Sequence, residues 1–242
     1  MTDFPLVRWA DYDAVLFDLD GVLTPTAEVH MRAWAAMFDA YFTAHGITPP
    51  YTDADYFAYV DGKPRYDGVR SLLASRGVVI PEGDPSDPPS AETVCGLGNR
   101  KNDEFERELS QNGVTPYPGS VALLDHLATL PVALAVVSSS ANAPKVLAAA
   151  GIADRFSFVV DGSVAREQQL PGKPAPDTYA YAAKECGTDA SRSVVVEDAV
   201  SGVEAGAAGA FGLVLGVDRG AGRQVLLDHG ADIVVADLGE LA

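Results

Sequence analysis

Two aspartates one residue apart, Asp18 and Asp20, interrupt the apolar run "VLFDLDGVL" at residues 15–23, and Gly21 follows at once. Carboxylates spaced by two share one face of an extended chain and can converge on one ligand. A carboxylate aimed at phosphorus can act as a covalent nucleophile, and a second beside it can move a proton to or from the leaving group. The plainer alternative is a strand that ends in a polar turn, since Asp-Gly is a common turn dipeptide. Gly21 suits both readings, because it lets the backbone turn sharply and approach a ligand closely.

Three further segments carry chemistry at or just beyond apolar runs. Ser138, Ser139 and Ser140 follow "VALAVV" and offer hydroxyls and backbone N–H groups to an anion. Asn142 comes next as an N-cap for a helix whose N-terminus attracts negative charge. Lys173 lies in "GKPAPD", where Pro174 and Pro176 stiffen the loop that presents it. Glu197 and Asp198 follow "VVV". Four acids gathered with one amine repel each other unless a cation joins them. Hard oxygen donors without clustered Cys or His favour Mg²⁺, which commonly accompanies phosphoryl groups.

The elements that must position these residues alternate along the chain. Short β-branched runs at 14–18, 132–137, 156–160, 194–196, 211–215 and 232–235 read as strands, with helices at 119–130, 143–150, 175–186 and 201–209. That alternation predicts a doubly wound, mostly parallel sheet with helices on both faces. Residues 28–111 break the rhythm. "EVHMRAWAAMFDAYFTAHG" repeats apolar residues at helical spacing and ends at Gly46, a good C-cap. Helices are expected around 53–59, 66–76 and 91–110, with a loop at 81–90. The expected division is an α/β core of 1–27 and 112–242, with an inserted helical cap of 28–111 over the sheet's carboxyl edge. Open α/β sheets bind ligands at that edge.

Composition excludes several partners. The 242 residues carry a net charge of −17, which repels phosphate backbones and anionic lipid and argues against nucleic acid or membrane partners. Cys95 and Cys186 are the only cysteines and make no disulfide framework. No basic flank or apolar segment marks the start as a signal peptide, and no stretch approaches a bilayer span. A cytoplasmic protein, monomeric and acting on a small molecule, is expected.

"FDLDGVL", "VVSSSAN", "GKPAPD" and "VEDAVSGVEAG" resemble, in order, the four signature motifs of haloacid-dehalogenase (HAD) superfamily phosphotransferases. "DGVLTPTAEVHMRAW" and "NRKNDEF" resemble the β-phosphoglucomutase-like branch, whose helical cap is inserted at this point. The resemblance covers essentially the whole chain and implies a HAD-like Rossmannoid core. It implies Asp18 as nucleophile, Asp20 as general acid/base, and Ser138, Ser139 and Lys173 on the transferring phosphoryl group. Mg²⁺ would be held by Asp18, the Asp20 backbone carbonyl and Asp198, with Glu197 in or near its shell. His30 and Lys101 match cap positions that couple closure to placement of the acid/base. Arg65 matches the arginine on the distal phosphate, helped by Ser140 and Asn142. The residues themselves leave alternatives: His30 simply on an amphipathic helix, Lys101 solvated in a charged run, and Arg65 paired with Asp61 or Asp67. Trp34, Phe38, Tyr41 and Phe42 read as cap packing.

Two departures stand out. Pro25 occupies a hinge position where this branch typically has an aspartate, and Ala141 stands where a lysine is common. Both bear on mutase activity more than on phosphoryl transfer. The reading that follows is an enzyme interconverting β-glucose 1-phosphate and glucose 6-phosphate through an aspartyl-phosphate. The alternative is a phosphatase for a small sugar phosphate or other phosphomonoester. More remote are a phospho-aspartate receiver, which has no inserted cap, and a non-catalytic sugar-phosphate binder.

Overall fold

Strand β1, Ala14–Phe17, seats itself in the middle of the sheet because its four side chains are all buried. The structure is a computed structural model describing residues 7–242; the first six residues, which open the expected segment 1–27 and on which the signal-peptide expectation falls, lie outside the described residues. After β1 come four helical stretches: α1 (Thr26–His45), α2 (Asp53–Asp55, continuing as a π-helical turn Tyr56–Val60), α3 (Arg65–Ser75) and α4 (Val94–Asn112). The chain then alternates through α5 (Pro118–Leu127), β2 (Ala133–Val137), α6 (Ala143–Ala150), β3 (Phe158–Val160), α7 (Gly162–Glu167) and α8 (Asp177–Glu185). It ends with β4 (Ser193–Glu197), α9 (Val200–Ala208), β5 (Leu213–Val217), α10 (Arg223–Asp228) and β6 (Ile233–Val235).

The six strands are all parallel in the order β3-β2-β1-β4-β5-β6. Period-two alternation sorts their side chains onto two cores. Val15, Phe17, Val194 and Val196 pack on one face, and Ala14, Leu16 and Val195 on the other. This is the doubly wound sheet that the apolar runs predict.

The inserted helices have a third core of their own. Trp34, Met37, Phe38, Tyr41 and Phe42 recur at helical spacing on α1 and bury against Val69, Leu72 and Leu73 of α3 and Val94 and Leu97 of α4. Gly46 ends α1 in the left-handed conformation, and Thr93 begins α4 by accepting a hydrogen bond from the Gly96 N–H. Pro25 stands at the N-cap of α1, where its missing N–H costs nothing.

Several expected bounds move. The strand expected from 156 begins at Phe158, because a 3-10 turn at Ala153–Arg155 uses up the preceding chain. The strand expected from 211 begins at Leu213, with Phe211 turned edge-on to the Tyr179 ring instead. Helices α7 and α10, six residues each, are too short for a periodic signal, and the sequence reading does not include them. Among the described residues no helix is long and apolar enough to cross a membrane.

Candidate active site

Strand register brings the acids together. Phe17 stands level with Val136 on one side and Val196 on the other, so one step further Asp18 meets the ends of β2 and β4. There Lys173 Nζ donates to Asp18 Oδ1 at 2.5 Å, to Glu197 Oε1 at 2.6 Å and to the Val137 carbonyl at 3.0 Å. Its three donors are thus all used, and the Tyr179 ring lies 4.9 Å from its ammonium. Burial works against the Lys173 charge, but Asp18 and Glu197 overcome it and hold the amine well above its ordinary value. Glu197 is saturated. Oε1 also accepts from Tyr179 at 2.9 Å, and Oε2 accepts the backbone N–H groups of Asp198 and Ala199 at 3.0 and 3.1 Å.

Asp18 and Asp198 face the cavity with less company. Burial, with the charges of Glu197 and Asp20, pushes the Asp18 carboxyl well above the carboxylate range despite Lys173. Burial, followed by the charges of Asp61, Glu197, Asp18 and Asp20, does the same to Asp198. Gly21 is required here: its φ is +91°, and a Cβ would collide with the Asp198 carboxylate.

Asp20 is governed from the inserted helices. Its Oδ1 accepts the Thr26 hydroxyl, and His30 Nε2 faces the same oxygen at 3.3 Å, within ion-pair range but off the line of a hydrogen bond. The Ser138 hydroxyl approaches Oδ2 at 3.4 Å. Burial alone would raise Asp20, but His30 and Thr26 prevail and hold it at about 2. Lys101 donates to His30 Nδ1, which leaves the proton of a neutral imidazole on Nε2, facing Asp20. Phe105 stacks on His30 at 4.1 Å, while Trp34 and Phe105 flank the Lys101 ammonium at 5.2 and 5.0 Å. Buried so, and close to Arg65, Lys101 falls to about 7.

The far end of the cavity is built from neutral amides. Arg65 donates to Asn99 Oδ1 at 3.3 Å and to Asn102 Oδ1 at 2.6 Å, not to Asp61 or Asp67. Asn142 is the N-cap residue of α6 by position, yet its carboxamide crosses to the same Asn102 oxygen at 2.7 Å. The Ser140 hydroxyl accepts the Asn142 N–H at 3.2 Å. Three more polar bonds join the two parts of the molecule: Ser139 Oγ to the Gly62 carbonyl at 2.7 Å, Ser201 Oγ to the Asp61 carbonyl at 3.2 Å, and Lys145 to Glu106 at 2.8 Å.

Of the site residues that the sequence proposes, all but Lys173 line one cavity of about 430 Å³, and Lys173 lies beneath its floor on Asp18. Ser139 turns its hydroxyl to the inserted segment. Sequence reasoning does not single out Thr26, Asn102 or Tyr179, and it names Asp61 only as an alternative partner for Arg65. Asn102 follows Lys101 in the quoted "NRKNDEF", but nothing in a one-dimensional string says that two donors from distant segments meet on it.

The donor set suits a hard divalent cation. Asp18, Glu197 and Asp198 bring carboxylate oxygens within 4.8 Å of one another, and all are oxygen donors. One lysine balances one charge of four. Burial first, and then the charges of the neighbouring acids, push Asp18 and Asp198 up, and a cation would relieve the second of these.

Residues 12–209 match the family model described as haloacid dehalogenase-like hydrolase. The chain belongs to that family. It is 50% identical to β-phosphoglucomutase from Mycobacterium tuberculosis, over 94% of this chain and 90% of the relative. It is 31% identical to hexitol phosphatase A from Escherichia coli, over 80% and 77%. The crystal structure of β-phosphoglucomutase from Clostridium difficile shares the fold with a TM-score of 0.76, at 24% identity over 96% of this chain and 93% of that one. The chain is therefore a HAD phosphotransferase of the β-phosphoglucomutase-like branch, an α/β core with an inserted helical cap.

Proposed function

We propose that the enzyme interconverts β-glucose 1-phosphate and glucose 6-phosphate by way of a phosphorylated Asp18. The observation that carries this reading is the two-ended cavity. Asp18 and Lys173 stand at one end, and at the other Arg65 and Asn142 both donate to one exchangeable amide oxygen. A sugar carrying a phosphate at each end fits two such poles; a simple phosphatase has no need of the second.

In this reading Lys173 holds one Asp18 oxygen and leaves the other free to bond phosphorus. On the phosphorylated enzyme the sugar's free hydroxyl forms the new O–P bond while the Asp18 O–P bond breaks. Asp20, held ionised by His30, takes the hydroxyl proton. After the bisphosphate turns around, its other phosphoryl group passes to Asp18, and Asp20 returns the proton to the departing oxygen. Ser138 would hold the transferring group, joined by Lys173 once it exchanges one of its present contacts, and Arg65, Ser140 and Asn142 would hold the stationary one. His30 and Lys101, on the cap segment 28–111, would align Asp20 only when the cap is closed. Mg²⁺ would be held by Asp18, Asp198 and the Asp20 backbone carbonyl, and would supply neutralisation of the phosphoryl oxygens' negative charge. Glu197, whose oxygens are already engaged, serves by fixing Lys173.

The phosphatase reading keeps support from the hexitol phosphatase relative. One assay separates the two. With β-glucose 1-phosphate, Mg²⁺ and a trace of glucose 1,6-bisphosphate, glucose 6-phosphate should form much faster than inorganic phosphate. Phosphate as the main product would overturn the mutase reading.

A further inference from the structure

Lys63, Arg65, Arg70 and Arg166 all line the cavity, and only Arg70 among them is ion-paired among the described residues. Arg70 is neutralised by Asp67 and Glu82, but Lys63 donates to the Ser71 hydroxyl and Arg65 to asparagines. Arg166 lines the same cavity, and its guanidinium makes no hydrogen bond or ion pair among the described residues. Arg166 is exposed, so water solvates its charge and its side chain can turn toward an anion in the cavity.

Backbone packing places Arg166 there. Gly162, at the start of α7, lies so close to the loop after β2 that a Cβ would stand 2.7 Å from the Ser139 carbonyl and 3.1 Å from the Ala141 N–H. Arg166 is one helical turn further on and shares that face. Ala141, also lining the cavity, has only a methyl group. The two guanidiniums are near enough to feel each other: burial draws Arg65 down from its ordinary value, and the Arg166 charge adds to it. Arg65 belongs to the inserted helices and Arg166 to the α/β core, so their repulsion acts across the cleft.

We infer that Arg166 is a second cationic ligand for the distal phosphate, closing on it opposite Arg65, and that it makes cap closure depend on a two-phosphate sugar. A dianion between the two guanidiniums replaces a repulsion across the cleft with two attractions, each a charge-assisted hydrogen bond to phosphate. This inference rests on the two-ended reading of the cavity given above.

The test measures affinity with the covalent step blocked. In an Asp18→Asn background, glucose 1,6-bisphosphate and inorganic phosphate are titrated calorimetrically with and without Arg166→Ala. The bisphosphate Kd should rise roughly tenfold or more, the range of one lost hydrogen bond to a charged group, and the preference for bisphosphate over inorganic phosphate should fall with it. Arg166→Lys should recover part of the loss, and in the active enzyme Arg166→Ala should raise KM more than it lowers kcat. A bisphosphate Kd within twofold of the parent overturns the assignment while leaving the mutase reading intact. If the enzyme releases phosphate instead of isomerising, yet Arg166→Ala still weakens bisphosphate binding, the mutase reading falls and the assignment of Arg166 stands. Bisphosphate binding no tighter than inorganic phosphate overturns both.

Discussion

The two ends of the cavity are made from different materials. At the floor, Asp18, Lys173, Glu197 and Tyr179 form a line of buried hydrogen bonds to charged groups between 2.5 and 2.9 Å. At the far end, Arg65, Asn102 and Asn142 meet through neutral amides, and the bonds joining cap to core are mostly hydroxyl or amide donors on uncharged oxygens. A neutral hydrogen bond contributes about 0.5–1.5 kcal/mol and one with a charged partner such as Arg65 about 1.5–3 kcal/mol, whereas stripping one partner from a buried ion pair costs about 3–5 kcal/mol. Under the proposed mechanism the floor would stay fixed during attack on phosphorus, while the far end would be exchanged for ligand oxygens and let the cap open.

That contrast can be broken most sharply at the floor. Asp18→Asn should lower kcat by several orders of magnitude in a protein that still folds, because an amide cannot attack phosphorus and Lys173 keeps Glu197 as a partner. Asp20→Asn should cost less, about 10²–10⁴-fold, the usual contribution of a general acid/base. Single-turnover kinetics would separate them; an Asp20→Asn rate matching the wild type would mean that Asp20 does not act on the leaving group. Lys173→Met tests rigidity directly. It leaves Asp18 and Glu197 buried without their cation and should destabilise the protein by about 3–5 kcal/mol in urea unfolding. A loss under about 1 kcal/mol would show that the floor is as exchangeable as the far end.

The same contrast explains what can be read from the sequence. Apolar runs ending in Asp18, Ser138 and Glu197 announce both the strands and the residues gathered at the sheet edge, since a parallel sheet in register sets its strand ends side by side. The core site is therefore legible in the order of the residues alone. Glu197 is legible as an acid at the edge, but its engagement with Lys173, Tyr179 and two backbone N–H groups depends on three dimensions. At the far end, Arg65 beside Asp61 and Asp67 invites an ion-pair reading, while its actual partners lie 34 and 37 residues away. Short α7, and Arg166 with it, gives no periodicity to detect. Strand ends leave a signature in one dimension; shared acceptors between distant helices do not.

Lys101 lies between the two regimes, and pH should expose it. Burial, then Arg65, draws its amine to about 7, although Asp20 pulls the other way. An unfolded lysine titrates near ~10.4. Between these values the unfolded chain holds a proton that the folded protein lacks, so stability rises with pH from about 7 to about 10. Below about 7 the cost of the buried charge is fully present, up to about 4 kcal/mol. Lys101→Met removes this dependence. Urea midpoints should show the variant gaining on the wild type as pH falls from 9 to 7. Parallel stability curves would mean that the amine is hydrated in the free protein, with the cap open.

The smallest effect is expected at the rim. Lys145 of α6 and Glu106 of α4 join core to cap at 2.8 Å, but their side chains are 61% and 42% exposed. Solvent screening and side-chain entropy reduce such a pair to about 0–1 kcal/mol. Lys145→Ala should therefore change the cap-opening equilibrium by less than about fivefold, with KM following it and kcat nearly constant. Raising the salt concentration should mimic the variant in the wild type and do little more in the variant itself. Fluorophores on α1 and α6 would read opening directly. A shift above tenfold, abolished by salt, would mean that the cap is held by surface charge, and the neutral amides at Asn102 would then no longer be the principal latch.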